Sequence, residues 1–188
     1  MPAFDPQDPE FESAVTESFS RLTLMRTIGA RLQRVSAGEV EIALPFREDL
    51  TQHHGFMAAA VLTAVADVAC GYAAMTLMPP GSSVLTIEYK ANFLAPAQGE
   101  RMVARGRVVR PGRSVTVCAG DVIAVDGGTE KLVATLLATM MRVDGERPVS
   151  PTETKAQAHQ HSLHPRRRPR WCLCRALTRH RRDFSLST

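Results

Sequence analysis

The sequence carries no glycine-rich phosphate loop, no dinucleotide-binding fingerprint and no His-Glu-x-x-His pair. Each of those chemistries needs its backbone cradle or its paired ligands at a fixed spacing, so neither a nucleotide cofactor nor a catalytic metal is expected. Cysteine is scarce: Cys70 and Cys118 lie in apolar stretches, and Cys172 and Cys174 lie near the end. That distribution excludes a disulfide framework, and one residue between Cys172 and Cys174 is not zinc-knuckle spacing even with His180 nearby. The opening residues, from Met1 to Ser13, are acidic and proline-rich with neither a basic start nor an apolar run, so a cytoplasmic location is expected. The lone tryptophan, Trp171, stands among arginines and is too little aromatic character for a base-stacking surface.

What is present suffices for one substantial core. A chain of 188 residues with 44% hydrophobic content is short for two full domains. Its net charge of +4 averages two unlike regions. Residues 1–151 hold 14 Lys and Arg against 17 Asp and Glu, while 152–188 hold 9 against 2. The basic character therefore belongs to the tail, and the mildly acidic body gives no reason to expect a nucleic-acid partner. Three segments are expected: an N-terminal extension over 1–9, a folded domain over 10–145, and a basic, disordered tail over 146–188. The tail's Arg- and His-rich composition suits binding to RNA or an anionic membrane, and equally an altered reading frame of a GC-rich gene, so no function is attached to it.

The body reads as α+β. Phe11, Val15, Phe19 and Leu22 recur at helical spacing over Glu10 to Leu22. Strands are expected over about 28–35 and 40–46, with the turn at Ala37-Gly38. An apolar helix follows from Met57 to Met78, and Pro79-Pro80-Gly81 stops it. Leu85, Ile87, Tyr89, Ala91 and Phe93 then alternate with Thr86, Glu88, Lys90 and Asn92, the pattern of a half-buried strand. Three more strands, over about 101–110, 114–125 and 131–143, are separated by turn signals at Pro111-Gly112 and Asp126-Gly127-Gly128. A long helix followed by a four-strand meander implies a curved sheet around the helix, with an edge that favours self-association.

Asp67 is the residue that points to chemistry. It is a lone carboxylate in the middle of the apolar helix, with Thr63, Ala64, Cys70 and Gly71 as its helical neighbours, so no cation reaches it along its own helix. Burying an unpaired carboxylate is costly, and the residue must be capped by polar groups or serve a function supplied from another segment, another subunit or a substrate. Asp67, Gly71 and the many alanines leave the helix too weakly hydrophobic to read as a membrane span.

Three runs together resemble a known family: QHHGFMAAAVLTAVADVACGYAA over Gln52 to Ala74, TIEYKANFLAPA over Thr86 to Ala97, and GRVVRPGRSVTV over Gly106 to Val117. They are similar to the hotdog-fold acyl-CoA thioesterases of the phenylacetate-pathway type, over about 11–143. The resemblance implies a sheet wrapped around a central helix, subunits paired edge to edge as a homodimer or homotetramer, and active sites at their interface. It also implies an acyl-CoA substrate, with Asp67 as general base or nucleophile supplied by the partner subunit. The amide of Ala59 at the helix start would be the oxyanion donor, Gln52 would orient substrate or water, and Thr86 would hold the attacking water. Lys90, Asn92, Arg105, Arg110, Gly112 and Arg113 are the candidates for contacting substrate, the cations among them suiting the phosphates of CoA or a solvated, aggregation-resistant edge. One feature departs from the family. Its usual His-Gly-Gly or His-Ala-Gly run is here Ala58-Ala59-Ala60. The backbone amide survives this change, but the added methyl groups narrow the approach to it. A non-catalytic acyl-CoA-binding dimer is the alternative reading.

Overall fold

The structure, a computed structural model, describes residues 4–144. Helix α1 (Phe11–Ser20) forms on the expected apolar spacing, with Val15 fully buried and the Phe19 ring 6.0 Å from that of Tyr72. A short helix that the sequence reading did not include, α2 (Thr23–Ile28), follows and buries Met25 and Ile28. The first strand therefore begins later than expected. Gly29 turns left-handed at φ 79° to end α2, and β1 spans Arg31–Ser36. After β2 (Glu39–Pro45) the chain reaches the central helix α3 (Ala59–Met75). It is shorter than the apolar stretch because Met57 bridges to Thr51 and donates its N–H to the Ala97 carbonyl, while Leu77 and Met78 leave the helix in turns before Pro79.

Strands β3 (Ser82–Phe93), β4 (Arg101–Arg110), β5 (Val115–Asp126) and β6 (Thr129–Asp144) complete one antiparallel sheet in the order β1-β2-β4-β5-β6-β3. The expected four-strand meander holds only for β4, β5 and β6. The first of the four, β3, pairs with β6 instead, because β2 occupies the free side of β4 from Glu39↔Arg107 to Pro45↔Arg101. Gly127 and Gly128, both at positive φ, make the two-residue turn between β5 and β6.

Helix α3 lies across one face of the sheet and packs into it through Leu62, Val65, Ala66, Ala69 and Ala73. Two glycines paired across β4 and β5 permit the close approach. A Cβ on Gly106 would stand 2.3 Å from the Ala69 carbonyl, and one on Gly120 would stand 2.8 Å from Cys70 Sγ. The segment before α1 joins the same body: Phe4 packs on the core and Gln7 Nε2 donates to the Leu77 carbonyl at 2.8 Å. The proposed tail, 146–188, lies outside the described residues. No helix among the described residues is long and apolar enough to cross a membrane.

Edge strand β3 is not half-buried as its alternation suggested. A bulge between Thr86 and Glu88 inserts Ile87 and reverses the alternation there. Leu85 pairs with Met141 on the face away from α3, whereas Tyr89 pairs with Ala138 and Phe93 with Ala134 on the helix face. At this edge of the sheet Tyr89 and Phe93 remain 46% and 50% exposed.

Candidate active site

The bulge in β3 brings Thr86 to the helix face beside Met140, where its hydroxyl donates to Asp67 Oδ1 at 2.8 Å. The partner of the helix carboxylate thus comes from another segment of the same chain and is neutral. Asp67 is half-buried rather than enclosed. Burial raises its pKa above the ordinary aspartate value, and the Thr86 hydrogen bond offsets part of that rise. The result is a carboxylate more basic than a solvated one, open on one side. Neither nearby thiol competes as a nucleophile. Cys70 and Cys118 are buried, and desolvation holds both protonated, pushing Cys118 up to about 12.

Before the start of α3, Gln52 sits in a tight loop. Its N–H donates to the Phe56 carbonyl, its carbonyl accepts from Gly55, and its Oε1 accepts from the His54 N–H. Ala58 caps α3 in an extended conformation without a side-chain hydrogen bond, and its carbonyl accepts from Val61 and Leu62. The amides of Ala59 and Ala60 have no backbone acceptor among the described residues, and both residues are exposed. Free amides at a helix start form an anion-binding end, and this one opens into a 420 Å³ cavity shared with Gln52, Phe56, Phe93 and Leu94. The structure therefore brings Gln52 to Ala59, and Asp67 to Thr86, but not the two pairs together. Eight residues separate Ala59 from Asp67, about 12 Å along the helix axis.

The expected substrate-contacting residues do not form one cluster. Lys90 and Asn92 pair with Leu137 and Thr135 on the face of β3 away from α3. Arg105 also lies on that far face, where Glu130 holds it at 2.8 Å and Glu41 at 3.2 Å, so its charge is already matched within the sheet. Arg110 is exposed at the end of β4. Gly112 and Arg113 line a separate 330 Å³ cavity with Gln7, Thr116 and Arg142. Gly112 has a packing reason of its own, since a Cβ there would meet the Val115 carbonyl at 2.2 Å.

A 460 Å³ cavity beside Asp67 and Thr86 brings in residues the sequence reading passed over, among them Ser18, Gly71, Tyr72 and Met75. The spacing of Asp67, Gly71 and Met75 at successive fours was a readable sign that they share one stripe of α3.

Comparison with known proteins is consistent with this architecture. Residues 54–131 match the family model of the Thioesterase superfamily. A thioesterase family protein from Silicibacter pomeroyi is 44% identical, covering 72% of this chain and 99% of that chain at a TM-score of 0.71. The chain belongs to the thioesterase superfamily. A further relative of this thioesterase-family chain, a Halobacterium salinarum protein named as an esterase, is 31% identical over 109 residues, 53% of this chain and 69% of that protein. The E. coli PaaI protein from the phenylacetic acid degradation operon shares the fold at 16% identity and a TM-score of 0.66, covering 74% of this chain and 97% of that one. The α+β architecture of this thioesterase is the hotdog fold of PaaI-like members, and its activity class is hydrolysis.

Proposed function

We propose that this hydrolase cleaves acyl-CoA thioesters at a site completed by two copies of the chain. The single observation that carries the reading is the split site. Asp67 and Thr86 lie beside the first half of the exposed edge strand β3, while Gln52 and the free amides of Ala59 and Ala60 lie toward its last residue, Phe93. Antiparallel pairing of β3 with its copy about a two-fold axis sets the Thr86 end of each strand against the Phe93 end of the other. The uncovered Tyr89, Phe93 and Leu94 supply apolar surface for that contact.

In such a site the thioester carbonyl oxygen receives the Ala59 amide, which is stronger for the oxyanion of the tetrahedral intermediate than for the neutral carbonyl. Asp67, kept basic by burial and oriented by Thr86, takes a proton from water as its oxygen bonds to the carbonyl carbon. The carbon–sulfur bond then breaks, and the proton passes to the departing CoA thiolate. Direct attack by Asp67 would give an anhydride that water opens, with the same products. The Ala58-Ala59-Ala60 run preserves the donor, and its methyl groups restrict which acyl groups fit beside it. Exposed Lys90, Arg110 and Arg113 are the cations left for the phosphates of CoA.

Steady-state hydrolysis of a panel of acyl-CoAs by the parent chain and by Asp67→Ala tests the reading. Turnover that is lost in the variant supports it. Turnover retained by the variant refutes the role of Asp67, and binding of acyl-CoAs with no turnover by the parent establishes the non-catalytic alternative.

A further inference from the structure

The side chains along the sheet edges restrict how a second copy can align, and their interpretation rests on the proposed reading that two copies complete the site. The sheet has two edges. β1 is six residues long, shifts register between Leu32 and Arg34, and ties Arg34 to Glu39 and Glu41 of its own hairpin, all of which discourage a further strand. β3 is twelve residues long, about 40 Å, and is exposed without a break from Leu85 through Lys90. A second copy therefore has one suitable edge to pair with.

After the bulge, Tyr89, Ala91 and Phe93 lie on the α3 face of β3, and Glu88, Lys90 and Asn92 lie on the far face. Residues directly opposite in an antiparallel pair share a face, so a slip of one residue, which opposes Tyr89 to the partner's Lys90, is excluded. Among alignments that keep the faces, a two-fold axis through Lys90 opposes two ammonium groups, and one through Glu88 opposes two carboxylates. Both are destabilising. An axis through Ala91 opposes Lys90 to the partner's Asn92 and makes no charge pair. An axis through Tyr89 instead sets Glu88 opposite the partner's Lys90 and Lys90 opposite the partner's Glu88. Both charges are available: Glu88 accepts from Thr139 Oγ1 at 3.0 Å, and neither Glu88 nor Lys90 has an ion pair among the described residues. With Ile87 inserted as it is against β6, the same axis brings the partner's Ala91 opposite Thr86 and the partner's Phe93 opposite Val84, which lines the Asp67 cavity. Phe93 shares its own cavity with Gln52 and Ala59, so that end of the partner arrives at Asp67.

We infer that a second copy docks on β3 with the two-fold axis through Tyr89, and that reciprocal Glu88–Lys90 pairs between the copies set this alignment and deliver the partner's helix start to Asp67. Lys90 is then committed to the interface, and Arg110 and Arg113 remain for the phosphates of CoA. The test is the dimer dissociation constant of the full chain, from sedimentation over a dilution series at low ionic strength, for the parent, Glu88→Lys, Lys90→Glu and the double exchange. Each single reversal opposes like charges twice per dimer and is expected to raise the constant about 10-fold or more, whereas the double exchange is expected to return it to within about 3-fold of the parent. Single variants that pair as tightly as the parent, or a double exchange as weak as the singles, would overturn the alignment while leaving a dimeric parent's two-copy site standing. A parent that stays monomeric would overturn both. Recovery by the double exchange, in a protein that hydrolyses no acyl-CoA, would support the alignment and refute the proposed reaction alone.

Discussion

Replacing Gly106 by alanine tests why the helix that carries Asp67 can lie as close to the sheet as it does. The new Cβ would stand 2.3 Å from both the Ala69 carbonyl carbon and its oxygen, and 2.5 Å from the Cys70 nitrogen. These are backbone atoms of α3 and cannot rotate away, so the helix itself must shift. Overpacking a core by a methyl group typically costs about 1–3 kcal/mol, and a backbone obstacle places this change at about 3 kcal/mol. Reduced freedom of the unfolded chain returns about 0.4–1 kcal/mol, which is too little to cancel it. For a domain of this size the melting temperature should fall by roughly 10 °C. Gly120→Ala provides the control. Its Cβ meets the Cys70 sulfur at 2.8 Å rather than backbone, so Cys70→Ala should relieve part of its cost and none of the cost at Gly106. Urea unfolding of the two single variants and of each combined with Cys70→Ala measures both. A Gly106→Ala protein within about 1 kcal/mol of the parent would refute the close approach of helix to sheet.

Asp67→Asn should abolish turnover while leaving the fold intact, as read by acyl-CoA hydrolysis beside melting curves. The pKa of Asp67 is raised by folding, so its contribution to stability is fully present below the ordinary value of 3.8 and is lost as pH rises through the higher folded value. The stability of Asp67→Asn relative to the parent should therefore improve from acid toward neutral pH, and a variant that loses stability relative to the parent over that range contradicts the account. Thr86→Val removes the hydrogen bond that lowers the Asp67 pKa, so the acidic limb of the kcat/KM profile should move to higher pH. Lost orientation should also slow the reaction at least about 10-fold, and an unmoved limb would show that Asp67 is not the titrating base.

The fold was legible wherever one rule governed a stretch of chain. The spacing of Phe11, Val15 and Phe19 marked α1, and the Gly127-Gly128 turn marked the β5–β6 hairpin. Asp67 and Thr86 were each singled out in the sequence, but their contact depends on a bulge at Ile87 that inverts the alternation of β3. Alternation read as continuous cannot reveal where it reverses. α2 was missed because Thr23–Ile28 is too short for periodicity to show, although Gly29 was a stop signal in view. The pairing of β2 with β4, which sends β3 to the edge, is a long-range choice that short connections do not encode. Arg105 looked available as a cation because its partners, Glu41 and Glu130, are far from it in sequence and adjacent only across the sheet.

Subunit complementation tests the central claim most directly. Asp67→Asn and Gln52→Ala proteins, each deficient alone, are mixed under conditions that exchange subunits, and octanoyl-CoA hydrolysis is measured. If each site takes Asp67 from one copy and Gln52 from the other, a mixed dimer contains one intact site of two. Mixed dimers are half of a random population, so activity should rise to about one quarter of the parent value. Activity that stays at the level of the separate variants, with exchange verified, would contradict a site built from two copies.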